Sequence, residues 1–388
     1  MRLMIVGSGG REHALAWKLV GSSLGGVRSS RSGEKQGEGG PTGGTRVDRL
    51  FVAPGNGGTA SIAENVPISA TDIPALVSFA RDRQIDLTIV GPEAPLVAGL
   101  VDAFEEAGLR ALGPTSAAAR LEGSKAFAKR FMIEEGIPTA VGTVFRDYGA
   151  ARSYLHLQEA PIVIKASGLA AGKGVAVCAT LEGAEAALHK TMVERKFGGA
   201  GDEVLIEECL RGEEASLLAF SDGKTVVPML PARDYKRARD GDQGPNTGGM
   251  GCYAPSPYLP RHLVDEVVER VLQPAVDGMR RRGAPYVGVL YAGLMLTDDG
   301  PRVLEFNCRF GDPEAQVILP LLESDLVDIA LACLDGRLHD VHVTWRSAHT
   351  VCVVKASGGY PVDYEVAKRI TGVAEAEALP ATVVFQAG

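Results

Sequence analysis

Short apolar runs alternate with amphipathic stretches over the first 122 residues. Residues 3–6, 50–53, 87–90 and 109–112 are mostly apolar, whereas 11–20, 72–84 and 96–107 mix polar and apolar residues at helical spacing. Apolar strands alternating with amphipathic helices predict a parallel sheet covered on both faces. Each strand runs into a Gly- or Pro-containing loop: Gly7-Ser8-Gly9-Gly10, Pro54-Gly55-Asn56, Gly91-Pro92-Glu93 and Gly113-Pro114-Thr115. In an open parallel sheet such loops share the carboxyl edge, where ligands bind. The first loop is no dinucleotide fingerprint, because Glu12 stands at its third glycine position and no acidic residue follows the second strand. It retains the means to hold a single phosphate on N–H groups at a helix start, with Arg11 beside it.

The pattern changes at Ser124, a good N-cap, with Phe127 and Phe131 on one helical face and Gly136 and Pro138 ending the helix. An apolar strand at 161–165 then enters a glycine-rich loop, 166–174, and a second strand resumes at 175–178. Strand, glycine loop and strand form a hairpin rather than a P-loop, since no helix follows. Such a flap can close its backbone over phosphates, with Lys165 and Lys173 supplying charge. Residues 203–210 run from apolar into acidic, with Glu213 and Glu214 behind them, a pattern that also suits a plain surface edge. A helix is predicted over 265–282, and two strands at 287–297 and 302–306 are joined by Asp298-Asp299-Gly300, a strong hairpin signal.

Composition narrows the class. The chain has 388 residues, 45% hydrophobic and 23% charged, which excludes global disorder and implies two or three domains. Forty basic against 48 acidic residues give a net charge of −8, so no basic footprint argues for nucleic acid. The longest strongly apolar stretch, 287–296, is too short for a membrane helix. The opening residues read as a first strand, not an export signal. Six scattered cysteines without a C-x-x-C pair suggest neither zinc nor a disulfide framework, and favour a cytoplasmic protein. Residues 21–44 are dense in Gly, Ser and charge, and read as a flexible insert.

Glu305 and Asn307 fall on one face of the second hairpin strand, while Phe306 faces the other way. Two hard oxygen donors at i, i+2 suit Mg²⁺, which completes its shell with water and nucleotide phosphates. A polar outer strand face explains the same spacing equally well. The segment from Arg233 to Gly251 is rich in charge, glycine and amides, and reads either as a solvated loop or as a ligand-gripping one.

Taken in order, Gly-Ser-Gly-Gly-Arg-Glu-His-Ala (7–14), Ala-Pro-Gly-Asn (53–56), Val-Gly-Pro-Glu-Ala-Pro-Leu (90–96), Leu-Glu-Gly-Ser-Lys (121–125), Lys-Ala-Ser-Gly-Leu-Ala-Ala-Gly-Lys-Gly (165–174), Gly-Pro-Asn-Thr-Gly-Gly-Met-Gly (244–251) and Glu-Phe-Asn-Cys-Arg-Phe-Gly-Asp-Pro-Glu (305–314) resemble the glycinamide ribonucleotide synthetases, or phosphoribosylamine–glycine ligases, of the ATP-grasp superfamily. The resemblance covers nearly the whole chain outside 21–44. It implies an α/β architecture: a Rossmann-like open parallel-sheet domain (1–122) for substrate, an ATP-grasp domain (123–331), and a small β-rich C-terminal domain (332–388). The last domain reads as truncated, with 351–354 and 382–385 as strands of one sheet.

The resemblance further implies ATP-dependent ligation of glycine to 5-phosphoribosylamine through a glycyl phosphate, in purine synthesis. Mg²⁺ is the implied ion, with Mn²⁺ as an alternative, and a monomer with small-molecule partners is expected. Lys125 and Lys165 would contact the ATP phosphates under a flap containing Gly168, Gly172, Lys173 and Gly174. Glu207 and Leu210 would line the adenine pocket, and Glu214 would bind the ribose. Glu305 and Asn307 would hold the metal. Arg309 would stabilise the transferring phosphoryl group, with Asp312 and Glu314 placing the amine. Gly9, Gly10, Arg11, Asn56 and Glu93 would accept phosphoribosylamine. Asp234, Lys236, Asn246, Thr247, Gly248, Gly249 and Met250 would complete the substrate side. Arg233-Asp234-Tyr235-Lys236-Arg237 stands where the family commonly shows Gln-Asp-His-Lys-Arg. Other ATP-grasp ligases acting on formate, bicarbonate or biotin, and a nucleotide-binding protein without turnover, are the competing readings. The loops at 7–14, 90–96 and 244–251 favour the glycine ligase over them.

Overall fold

The computed structural model describes residues 1–23, 45–170, 173–241 and 243–387. The expected insert at 21–44 lies outside them except for its first three positions, which continue a helix. From the N-terminus the elements are β1 (Arg2–Gly7), α1 (Gly10–Ser23), β2 (Arg49–Pro54), β3 (Glu64–Asn65), α2 (Ile73–Asp82), β4 (Leu87–Val90), α3 (Glu93–Val97), α4 (Leu100–Glu106), β5 (Ala111–Leu112) and α5 (Ser116–Gly123). Their strands form one parallel sheet in the order β3-β2-β1-β4-β5. Alternate side chains of β1 enter opposite cores, Met4 and Val6 one and Leu3 and Ile5 the other, as a sheet covered on both faces requires.

Two local expectations are corrected. The helix over 96–107 is broken into α3 and α4 by Gly99, which takes φ 88°, a conformation glycine adopts without steric cost. The strand expected from 109 starts at Ala111, because the Leu109 N–H is used by the Phe104 carbonyl at 2.8 Å.

Ser124 caps α6 (Lys125–Glu134), its hydroxyl accepting from the Phe127 N–H at 3.2 Å. Next come β6 (Gly142–Phe145), α7 (Tyr148–Leu155), β7 (Ile162–Ala166), β8 (Val175–Cys178), α8 (Leu181–Met192) and β9 (Val204–Glu208). They make an antiparallel sheet, β6-β9-β7-β8, packed on α7 and α8 through Leu155, Ile164, Leu188 and Ile206. The β7–β8 hairpin frames the glycine loop as expected. β9 is no surface edge: it lies between β6 and β7, and so buries Glu207.

The remainder is β10 (Glu213–Asp222), β11 (Val226–Pro228), β12 (Arg233–Asp234), β13 (Arg237–Arg239), β14 (Gln243–Asn246), β15 (Gly251–Ala254), α9 (Arg261–Val267), α10 (Gln273–Arg281), β16 (Val287–Thr297), β17 (Gly300–Asn307), α11 (Glu314–Ile318), α12 (Leu326–Leu334), β18 (Thr350–Val353) and α13 (Val373–Glu377). β11-β10-β16-β17 form a second antiparallel sheet, and the predicted hairpin closes with Thr297 opposite Gly300. The single helix expected over 265–282 is α9 and α10 joined by a π-helical turn, Val268–Leu272. Pro274 lacks an N–H to return to that turn, and the wider turn absorbs the missing bond.

β18 pairs with β15 beside β12. Residues 382–385 are not a strand. Instead the Phe385 ring stands edge-on to His13 and Trp17, and the Gln386 N–H donates to His13 Nδ1 at 2.9 Å. No helix among the described residues is long and apolar enough to cross a membrane.

Candidate active site

The glycine loop is fastened to the start of α6. The Lys125 N–H donates to the Ser167 carbonyl at 2.7 Å and the Ala126 N–H to the Ser167 hydroxyl at 3.1 Å. Gly168 bonds the Ala200 carbonyl at 3.0 Å, and a Cβ there would lie 2.7 Å from Ala200 Cα, so the close approach requires glycine. The Gly174 carbonyl accepts from the Ala166 N–H at 2.8 Å, and Lys173 donates its N–H to Ala170 at 2.9 Å. Gly172 lies outside the described residues.

Beneath the loop, β7 presents Lys165. Its ammonium pairs with Glu207 at 2.5 Å and donates to the Leu304 carbonyl at 3.0 Å. Glu207 is also paired with Lys129, which donates to Thr139 Oγ1 at 2.8 Å and the Ala140 carbonyl at 2.7 Å. Burial pushes the Lys129 ammonium below its ordinary range, with Glu207 pulling the other way. Sequence reasoning missed Lys129. The available signal was a lysine three residues after Ala126, where the helical period calls for an apolar side chain. Leu210 is partly buried in the link between β9 and β10.

On β17, Glu305 is opposed by burial, but Lys125, Lys236, Lys165 and Arg309 hold its carboxyl below the usual glutamate range. The Asn307 oxygen accepts from Arg309 Nη2 at 3.3 Å. Among the described residues no group of three or more His, Cys, Asp or Glu could enclose a metal. One ionised carboxylate and one amide oxygen in a strongly cationic surround fit Mg²⁺, which keeps waters and takes phosphate oxygens, and do not fit a closed zinc or calcium cage.

Arg309 sits where the two halves meet. It pairs with Glu122 at 3.0 Å and with Glu93 at 3.5 Å. Burial opposes the Glu93 charge, but Arg309 and then Arg11 hold that carboxyl low. The Gly9 N–H donates to Glu12 Oε2 at 2.5 Å, and Arg11 Nε to Glu12 Oε1 at 2.6 Å. Glu12, the residue that breaks the dinucleotide fingerprint, thus braces its own loop and leaves the Gly9 N–H occupied. Asn56 is used structurally as well: its amide oxygen accepts from the Gly58 and Thr59 N–H groups at 2.8 and 3.0 Å, and its nitrogen donates to the Ser8 and Gln386 carbonyls at 2.8 and 2.6 Å. A Cβ on Gly9 would lie 3.1 Å from Asp312 Oδ2, and one on Gly10 2.7 Å from Gln316 Nε2, so these loops converge on the start of α11.

The third group surrounds Glu314, which is buried and accepts from the hydroxyls of Tyr291 at 2.7 Å and Ser216 at 3.3 Å. Asp312 accepts from Gln316 Nε2 at 2.6 Å. Lys236 lies 3.5 Å from Glu214 and 3.9 Å from Asp234. Its ammonium is opposed by burial but pushed up by Asp234, Glu214, Glu305 and Glu314. The segment read as a loop is a hairpin: Thr247 N–H to Lys236 O and Met250 N–H to Tyr235 O, both 2.7 Å, continue β13–β14 toward the site. Gly248 donates to the Tyr360 hydroxyl at 3.2 Å. Gly249, at φ 121°, leaves no room for a side chain, since a Cβ would meet Pro313 Cδ at 2.5 Å. Asn246, with Lys173, Arg237 and Val175, lines a cavity of about 300 Å³ between this hairpin and the flap.

Burial pushes the Asp234 carboxyl up to about 6, against Lys236 and with help from Glu314. A carboxyl raised above its unfolded value carries more protons in the native state. The contribution of Asp234 to stability therefore falls as pH rises from about 4 to about 6. Asp234→Asn lacks this titration, so its stability relative to wild type should improve across that window. Urea unfolding of both proteins at each end checks this, and a pH-independent difference would contradict the shift.

Residues 43–122 match the family model of the phosphoribosylglycinamide synthetase N domain, and residues 123–315 that of the synthetase's ATP-grasp (A) domain. The phosphoribosylamine–glycine ligase of Allochromatium vinosum is 52% identical over 393 residues, spanning all of this chain and 86% of that protein. The chain belongs to the phosphoribosylglycinamide synthetase family. A crystal structure of the Thermotoga maritima phosphoribosylamine–glycine ligase superposes with a TM-score of 0.77 at 33% identity, over 94% of this chain and 83% of that one. The biotin carboxylase domain of Hydrogenobacter thermophilus 2-oxoglutarate carboxylase, solved with MgADP, ADP and bicarbonate, has a TM-score of 0.65 at 16% identity, over 90% and 73% of the two chains. That second likeness establishes the ATP-grasp fold alone. In this chain Arg309, in the ATP-grasp portion, pairs with Glu93 and Glu122 of the N-domain portion and so joins the two.

Proposed function

We propose that this synthetase-family chain joins glycine to 5-phosphoribosylamine at the expense of ATP, giving glycinamide ribonucleotide, ADP and phosphate in purine synthesis. The observation that carries this reading is the likeness to a named phosphoribosylamine–glycine ligase along the whole chain. The site supports the chemistry. A carboxylate is a poor electrophile, so the glycine carboxylate oxygen first takes the γ-phosphoryl group of ATP. The amine of phosphoribosylamine then attacks the acyl carbon, and phosphate leaves. Phosphoryl transfer depends mostly on positioning and charge neutralisation. Lys125, Lys165 and the flap residues Gly168, Gly172, Lys173 and Gly174 bind the triphosphate. Glu207 and Leu210 border the base, and Glu214 the ribose. Glu305 and Asn307 hold Mg²⁺, or Mn²⁺ in its place, and the bound ion supplies charge neutralisation at the phosphates. Arg309 steadies the transferring group. Asp312 and Glu314 orient the amine.

The loops of Gly9, Gly10, Arg11, Asn56 and Glu93 form the wall for the ribose phosphate side, Gly9 and Asn56 by holding those loops in place, with Asp234, Lys236 and Asn246 through Met250 closing the opposite wall. The same reading divides the chain into substrate (1–122), ATP-grasp (123–331) and C-terminal (332–388) parts, working as a cytoplasmic monomer. Glycine labelled with ¹⁸O in its carboxylate tests the chemistry. One labelled oxygen should appear in each phosphate released, and unlabelled phosphate would overturn the glycyl phosphate route.

A further inference from the structure

Glu122 lies on the last turn of α5, three residues before Lys125, and its side chain is 8% exposed. Oε2 accepts from both the N–H and the thiol of Cys308, at 2.7 and 3.0 Å, while Oε1 accepts from Arg309 Nη2 at 3.0 Å. One carboxylate therefore fixes both the backbone where β17 ends and the guanidinium of the next residue. The other Arg309 contacts are longer: the Phe310 carbonyl and Asn307 Oδ1 at 3.3 Å, and Glu93 at 3.5 Å. Arg309 Nε is buried without a hydrogen bond, its ion-pair partner Glu93 Oε2 standing 3.5 Å away, so Glu122 makes the shortest contact that orients the guanidinium.

We propose that Glu122 is the positioning residue for Arg309, aiming its guanidinium at the transferring phosphoryl group and tying the Lys125 helix to the strand that carries Glu305 and Asn307. This rests on the role given to Arg309 above. Cys308 serves as a donor in the arrangement through both its N–H and its thiol.

Glu122→Gln isolates the contact. The amide oxygen can still accept from Cys308, but the amide NH₂ then faces Arg309, donor against donor. A catalytic group displaced by about 1 Å costs on the order of 10²-fold in rate. Glu122→Gln should lower kcat by about that factor, with the KM for ATP little changed. Added to Arg309→Ala, it should lower kcat no further, because a residue that acts through another has no separate effect. Losses that multiply, or a wild-type kcat in Glu122→Gln, would overturn the proposal while leaving the role of Arg309 standing. Wild-type turnover in Arg309→Ala would remove both. Should Glu122→Gln not fold, Glu122→Asp keeps the charge, withdraws it by one methylene, and carries the same cycle to the same decision.

Discussion

Glu305→Ala should turn over roughly 10²–10³-fold more slowly than wild type at saturating ATP and Mg²⁺, the usual cost of losing one contact to developing charge. Four cationic groups, Lys125, Lys165, Lys236 and Arg309, hold this carboxylate ionised despite burial. Removing it takes away the single carboxylate of the proposed metal pair and leaves Asn307 as the only protein donor. The half-saturating Mg²⁺ concentration should rise together with the fall in kcat. The fold should survive, because β17 packs through Phe306 and Val303 into the core and Glu305 lies on the opposite side. Steady-state kinetics across a Mg²⁺ titration, with thermal melting as control, decide the matter. Near-normal turnover at high Mg²⁺ would remove Glu305 from the site.

The second large effect falls on stability. Lys129→Met should destabilise the protein by about 3 kcal/mol, the lower end for breaking a buried ion pair, because Lys165 remains on Glu207. The Thr139 hydroxyl and Ala140 carbonyl lose their donor as well. Glu207 should then draw Lys165 toward itself and away from ATP, so the KM for ATP should rise. Urea unfolding gives the first quantity and initial rates the second. A loss below about 1 kcal/mol would mean that the cluster is not held by charge in the way described.

The parallel sheet was legible because β1, β2 and β4 are apolar on nearly every residue, as strands buried on both faces must be. The hairpin of β16 and β17 was legible from its turn, and the shared face of Glu305 and Asn307 from simple alternation. What failed depended on distant partners. Residues 382–385 have strand-forming side chains, but a strand needs a neighbour, and here Phe385 finds His13 and Trp17 instead. The acidic end of β9 suited a surface edge as well as a buried strand, because nothing local says that β6 will cover it. Lys129 broke the helical pattern of α6, and only Glu207, 78 residues on, explains it. Glu122 stood inside a recognised motif, yet its partners Cys308 and Arg309 lie 186 and 187 residues away.

Release of ADP, followed by a coupled assay with glycine and freshly generated 5-phosphoribosylamine, tests the central claim most directly. ADP should appear only when both substrates are present, with glycinamide ribonucleotide formed mole for mole by mass spectrometry. Nucleotide binding without turnover, or ADP release that ignores glycine, would contradict the assignment.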